Sequence, residues 1–285
     1  MRRQGKEMYE KMSECTHDCS SCGESCAQRT GPQDLRKPAN ARSHIKKVIA
    51  VVSGKGGVGK SAVTCTLAAA MAKRGRKVGV LDADITGPSV PQAFNIHRRA
   101  LGDEDGILPA VTQGGVELMS LNLLIERETD PVVWRGPVIA GAVEQFWTDV
   151  VWGELDYLFV DMPPGTGDVP LTVFQSLPVD GAVVVTAPQA LVGMIVTKAV
   201  RMAEMLDVPV LGLVENYSFF RCPGCGGEHP VFGPSTIDAL GKELSLPVLA
   251  KLPIDPELAR AVDEGRVESY EPNPMAEVAR RLDEA

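Results

Sequence analysis

No apolar run in this chain of 285 residues reaches the length of about 18 residues that a membrane-spanning helix needs. The longest candidates, such as Gly181–Ala187 (GAVVVTA), are of strand length. The N-terminus, MRRQGKEMYEKMSEC, lacks the apolar stretch of a secretory leader. Both absences predict a cytoplasmic protein with no membrane partner. There is no excess of positive charge either. Lys and Arg total 29 against 37 Asp and Glu, a net charge of −8, which argues against a non-specific nucleic-acid binder. Internal repeats and low-complexity tracts are lacking, and the near-average composition excludes a wholly disordered, collagen-like or coiled-coil protein. Cysteine is scarce and odd in number, seven in all, too few for a secreted disulfide scaffold. Their distribution carries more than their count: Cys15, Cys19, Cys22 and Cys26 crowd together, Cys222 and Cys225 form a pair, and Cys65 stands alone. In a reducing compartment, clustered thiols more often bind metal than form disulfides.

What is present describes an ordinary globular chain, 44% hydrophobic and 23% charged. The pattern divides it into a Cys-rich polar tail and linker over residues 1–43 and one large domain over 44–285. In the domain, short Val- and Leu-rich runs alternate with helical segments. Strands are predicted at Val48–Val52, Val78–Asp82, Val116–Leu121, Tyr157–Asp161, Ala182–Thr186, Val210–Val214 and Pro247–Leu252. The stretch near Leu108 is the expected hairpin partner of Val116–Leu121. Helices are predicted at Gly59–Arg74, Pro137–Trp152 and Ala190–Leu206, with two short ones after the last strand. Strands apolar on both faces and separated by helices predict an α/β fold, a mostly parallel sheet with helices on both faces. Ligands of such sheets bind at the carboxyl ends of the strands.

One such end carries Gly54–Ser61, GKGGVGKS, which satisfies the G-x-x-x-x-G-K-[ST] pattern of a P-loop between a strand and a helix. Glycines Gly54, Gly56, Gly57 and Gly59, with Val58 among them, let backbone N–H groups turn toward phosphate oxygens, and the helix N-terminus adds a favourable dipole. Lys60 is expected to reach the β- and γ-phosphates, and Ser61 to offer its hydroxyl to Mg2+. Two further strand ends bear carboxylates. Asp161 closes YLFVD and is the Walker B candidate. In LDADITGPS, Asp84 is the candidate for positioning the attacking water and Asp82 for assisting at the metal. The loops TGPS and PPGTGD are the expected sensors of the γ-phosphate.

Cys222-Pro-Gly-Cys225 lies between a strand and a helix. A CxxC can be a redox dithiol, half of a zinc site or half of an iron–sulfur site. Two thiolates do not complete a tetrahedral site, and His229 is weak evidence for a third ligand. A symmetric dimer would supply four thiolates, enough for one 4Fe-4S cluster. The tail set Cys15, Cys19, Cys22 and Cys26 can close a four-cysteine site for a second 4Fe-4S cluster or for Zn2+, with His17 a spare ligand. Cys65 reads as a small buried residue.

Taken together, KGGVGKS, DADITGPS, WRGP (Trp134 to Pro137), FVDMPPGTGD, VENYS and CPGC closely resemble the Mrp/ApbC family of iron–sulfur cluster carrier ATPases, relatives of MinD and ParA in the SIMIBI-type P-loop NTPases. The resemblance runs from about Ile45 to Asp263. It implies an ATP-dependent homodimer that binds a 4Fe-4S cluster through Cys222 and Cys225 of both chains and delivers it to apo-proteins. It implies that Lys55, after the first P-loop glycine, reaches the partner's nucleotide, and that Asn216 recognises adenine. The tail cysteines depart from the simplest bacterial members of the family. The alternative is a MinD/ParA-like positioning ATPase with a structural zinc site. The C-terminal stripe Met275, Val278, Ala279 and Leu282 would then be a membrane helix, but its acidic setting reads instead as a packing helix. A nitrogenase-reductase-like electron carrier would need a cysteine in PPGTGD, which has none.

Overall fold

The computed structural model describes residues 35–84, 89–125, 136–188 and 192–284. The four tail cysteines and His17 therefore lie outside the described residues, as do Thr86–Pro88 of the TGPS loop and Trp134 and Arg135 of WRGP. From Arg36 onward the chain forms one compact unit.

Its elements run in order as β1 (His44–Ser53), α1 (Lys60–Lys73), β2 (Val78–Asp82), α2 (Ser89–Ala93), β3 (Leu101–Asp103), β4 (Gly106–Leu108), β5 (Ala110–Val111), β6 (Glu117–Ser120), α3 (Gly136–Thr148), β7 (Glu154–Asp161), α4 (Asp168–Ser176), β8 (Gly181–Thr186), α5 (Val192–Met205), β9 (Val210–Arg221), β10 (Glu228–His229), α6 (Ile237–Glu243), β11 (Val248–Ile254), α7 (Pro256–Asp263) and α8 (Ala276–Glu284). The main sheet has the order β10-β9-β8-β1-β7-β2-β6-β5, with β11 also paired to β9. Its central pairings, β1 with β7 and β8, and β2 with β6 and β7, are all parallel.

The lack of polar alternation in these strands follows from burial on two sides. In β1, Val48, Ala50 and Val52 enter one apolar cluster with Phe146, Trp152 and Val173. Ile49 and Val51 enter the other with Leu67, Met71 and Val278. Successive side chains point to opposite faces, so a strand covered on both faces must be apolar at every position. The C-terminal stripe Met275, Val278, Ala279 and Leu282 is buried in that second cluster, as expected of a packing helix. No described helix is long and apolar enough to cross a membrane.

Several element ends differ from those expected, and three of the differences have a clear physical cause. Helix α3 ends at Thr148 rather than Trp152. The chain beyond it turns extended because Ile107 donates its N–H to the Asp149 carbonyl at 2.8 Å and accepts from Val151 N–H at 2.9 Å. The antiparallel partner of β6 is Ala110–Val111, while Gly106–Leu108 pairs with Leu101–Asp103 in a separate two-stranded sheet. The largest difference is β9, which continues past Val214 to Arg221. Its polar middle, ENYS, hides this continuation, which is held by β11 along Leu213–Phe220.

Candidate functional site

Sheet register brings the acidic strand ends together. Asp82 pairs with Asp161 across β2 and β7, and Val51 of β1 pairs with Asp161, so the P-loop that follows Ser53 emerges over both carboxylates. Two of its glycines have left-handed backbones, Gly57 at φ 78° and Gly59 at φ 77°, a region that side chains disfavour. Gly59 also lacks room: a Cβ there would overlap the Asn216 carboxamide and lie 2.9 Å from the Tyr217 hydroxyl. At Gly54 a Cβ would overlap the Ile195 side chain and stand 2.8 Å from its carbonyl oxygen.

Lys60 opens α1 with its ammonium only 5% exposed, 2.8 Å from Asp161 Oδ2 and 3.6 Å from Asp84 Oδ2. Burial by itself would lower its pKa. The charge of Asp161, a hydrogen bond to it, and the more distant Asp84 and Asp82 outweigh burial and hold the value above that of an ordinary lysine. Asp161 is fully buried. Its Oδ2 accepts from Ser61 Oγ at 2.6 Å and its Oδ1 from Thr64 Oγ1 at 2.7 Å. Asp82, beside it, accepts from Ser120 Oγ at 2.8 Å and from the Asp84 N–H at 3.1 Å. Both Asp82 oxygens therefore serve the protein, and one of them shapes the turn that presents Asp84. Burial and the neighbouring Asp161 charge push the Asp82 carboxyl well above the usual carboxylate range.

This donor set fits a phosphate group with a divalent cation. It offers a buried ammonium, a run of turned backbone amides at a helix N-terminus, and a serine hydroxyl hydrogen-bonded to an aspartate. The cleft in front of it measures about 290 Å³ and is lined by Lys55, Gly56, Lys60, Asp84, Pro164 and Val262 among others. Lys55 is half-buried at its edge, its carbonyl accepting from Ser53 Oγ at 3.0 Å. Within PPGTGD, the Gly165 N–H donates to the Ser53 carbonyl at 2.8 Å, which ties that loop to the end of β1. Asn216 is buried and donates from Nδ2 to the Val58 carbonyl at 3.0 Å, while its Oδ1 accepts from the Tyr217 N–H, also at 3.0 Å. Its carboxamide thus braces the P-loop from below.

Cys222 and Cys225 occupy the turn of a β-hairpin. Strands β9 and β10 pair as Arg221 with Glu228 and Phe220 with His229. The turn is closed by Cys222 N–H to the Gly227 carbonyl at 2.9 Å and Gly226 N–H to the Cys222 carbonyl at 2.8 Å. Cys222 is half-buried and Cys225 exposed. The Cys225 and Gly224 N–H groups and the Cys225 thiol all point at the Cys222 sulfur, which lowers its pKa below that of an ordinary thiol. His229 stands nearby: a Cβ on Gly227 would lie 3.3 Å from Cys225 Sγ and 3.4 Å from His229 Nε2. Among the described residues, however, no group of three or more His, Cys, Asp and Glu side chains could hold a metal ion. Cys65 is buried in α1.

Three residues here escaped sequence reasoning. Thr64 follows Ser61 by one helical turn, and that spacing could have revealed it. Ser120 pairs in register with Asp82, which only the topology shows. Tyr217, at the back of Gly59, stands in the VENYS stretch, which assigns it no role of its own.

Comparisons with known proteins identify the fold and the family. A family model described as ParA, NUBPL iron-transfer P-loop NTPase, matches residues 44–284. An iron-sulfur cluster carrier protein of Methanocaldococcus jannaschii is 43% identical over 260 residues, spanning 89% of this chain and 90% of that protein. One of Clostridium perfringens is 44% identical over 267 residues, spanning 88% and 94%. A nucleotide-binding protein of Archaeoglobus fulgidus, solved in complex with ADP, superposes with a TM-score of 0.72 at 44% identity, over 80% of this chain and 90% of that one. MinD of Aquifex aeolicus, solved with MinC, superposes at 0.59 over 84% of this chain and 96% of its own, but at 20% identity it shows the fold alone. The α/β P-loop fold and the match across the whole domain place this chain in the ParA/NUBPL family of iron-transfer P-loop NTPases, to which it belongs.

Proposed function

We propose that this protein is an ATP-dependent carrier of 4Fe-4S clusters that acts as a homodimer in the cytoplasm and hands its cargo to apo-proteins. The observation that carries the reading is the hairpin turn. It presents two accessible thiols, one with a lowered pKa, and the described residues around it complete no metal site. A two-fold partner supplies the missing two thiolates. The cluster is the cargo, and Cys222 and Cys225 release it by exchange with the thiolates of an acceptor.

At the other site, Lys60 holds the phosphate charge, and Ser61 with Asp161 would hold Mg2+, which supplies charge neutralisation on the phosphoryl oxygens. Asp84, 3.6 Å from the Lys60 ammonium, orients the attacking water. Asp82 keeps the Asp84 turn in place. Lys55 extends toward the partner's nucleotide, and Asn216 joins the adenine side of the site to the P-loop. Hydrolysis moves the TGPS and PPGTGD loops and exposes the cluster. The tail cysteines Cys15, Cys19, Cys22 and Cys26 hold a second cluster or Zn2+.

The test is anaerobic reconstitution with iron and sulfide, followed by iron analysis per dimer, electron paramagnetic resonance and transfer to an apo-acceptor. Wild type should carry a cluster that Cys222→Ala with Cys225→Ala does not. A double variant with the full iron load would overturn the bridging site.

A further inference from the structure

Strand β9 touches both sites. At its middle, Asn216 donates to the Val58 carbonyl and the Tyr217 hydroxyl stands against Gly59. At its end it delivers Cys222, five residues beyond Tyr217, about 16 Å at a strand's rise of roughly 3.3 Å per residue. Its partners change along this path. Parallel pairing with β8 stops at Thr186 opposite Glu215, and antiparallel pairing with β10 begins at Phe220. Between them the register against β11 slips over Lys251–Pro253.

The slip is a β-bulge of unusual composition. Tyr217 sits at φ 59°, a conformation rarely adopted by a bulky residue and persistent only where the surroundings over-determine it. Ser218 Oγ donates to Glu215 Oε2 at 2.5 Å, and the Tyr217 N–H is held by Asn216. Glu215 is fully buried, and its Oε1 has no hydrogen-bond partner among the described residues. Lys251 lies opposite it in register but is paired with Asp238. A strained backbone and an orphaned carboxylate oxygen thus coincide where the strand meets the P-loop.

A bulge has a discrete alternative. From Glu215 to Phe219 strand β9 spends four residues where β11 spends two, Lys251 to Pro253, so drawing both extra residues into the ladder would shift every following residue along the strand by about 7 Å without turning its side chain to the opposite face. For β9 those following residues end in Cys222.

We propose that the Glu215–Ser218 bulge is a two-state coupler between the nucleotide and cargo sites. Nucleotide in the P-loop biases the bulge through Val58 and Gly59, and the bulge sets how far along the strand Cys222 is offered. Glu215 and Tyr217 are positioning residues in this scheme and touch neither ligand. The inference rests on Cys222 and Cys225 being the cargo ligands. Because coupling is reciprocal, cargo must change nucleotide affinity by the same factor as nucleotide changes cargo affinity.

The experiment measures ADP affinity by titration calorimetry on the full chain, metal-free and reconstituted with iron and sulfide. In wild type the two dissociation constants should differ fivefold or more, the lower end of ordinary coupling. Tyr217→Gly, which accepts the left-handed backbone without strain, should still load iron and bind ADP, with the ratio falling to within about twofold of unity. Tyr217→Asn serves the same purpose if the glycine chain does not fold. Cys222→Ser with Cys225→Ser should also abolish the ratio, which excludes the tail as its source. Amide hydrogen exchange over residues 215–222 should respond to ADP in metal-free wild type and not in Tyr217→Gly. A wild-type ratio of one, or a ratio kept in Tyr217→Gly, overturns the coupler and leaves the carrier reading standing. Wild type that binds no iron at Cys222 and Cys225 overturns both.

Discussion

The phosphate end of the sheet and the thiol hairpin are opposites in construction. Around Lys60 the innermost polar groups are buried and answered within one chain: the ammonium by Asp161, Asp161 by Ser61 and Thr64, and Asp82 by Ser120. At the hairpin Cys222 is half-buried and Cys225 exposed, and backbone N–H groups and the Cys225 thiol are what answer the Cys222 sulfur. A site that must stabilise developing charge gains from fixed groups already in place. A site that must accept and surrender cargo gains from ligands it does not enclose.

The contrast is broken most severely at Asp161. Asp161→Ala leaves Lys60 buried without its nearest partner, and should cost about 3–5 kcal/mol in urea denaturation and abolish ATP hydrolysis. An unchanged urea midpoint would show that the pair is not buried as described. A smaller break comes from Ser120→Ala, which strips one hydrogen bond from buried Asp82 and should cost about 1–3 kcal/mol while slowing hydrolysis through the Asp84 turn. Full activity with that loss of stability would confine Ser120 to folding. At the hairpin the expectation reverses: Cys222→Ala with Cys225→Ala should shift stability by no more than about 0.5 kcal/mol yet remove the iron proposed to bind there.

The finest comparison sets two cysteines against each other. Burial, then the charges of Asp161 and Asp82, push the Cys65 thiol well above its ordinary range, while backbone N–H groups lower that of Cys222. A lowered thiol pKa extends the thiolate to lower pH, and a raised one withdraws it to higher pH. Iodoacetamide labelling of metal-free protein, followed residue by residue by mass spectrometry, should therefore modify Cys222 at a pH below that of an ordinary thiol and leave Cys65 untouched. Equal profiles would remove the distinction.

What could be read in the sequence was whatever repeats a local rule. GKGGVGKS declares a phosphate loop because glycine, lysine and serine stand at fixed spacing. The apolar runs ending in Asp82 and Asp161 declare strand ends. What could not be read depends on which strand lies beside which. Thr64 and Ser120 matter only because helix packing and sheet register set them beside carboxylates, and the apolar pattern ends β9 at Val214 because ENYS breaks its run. The end of α3 was likewise set by Ile107, some forty residues earlier in the chain, and not by its own composition.

The placement of the hairpin outside the two apolar clusters has a further consequence. Small metalloproteins that build their core around the ion unfold when it leaves. Here neither Cys222 nor Cys225 belongs to the clusters that hold the sheet, so emptying the hairpin leaves the container intact. On the carrier reading proposed above, such a vessel can be refilled and reused many times, and a chelator should strip it without melting it.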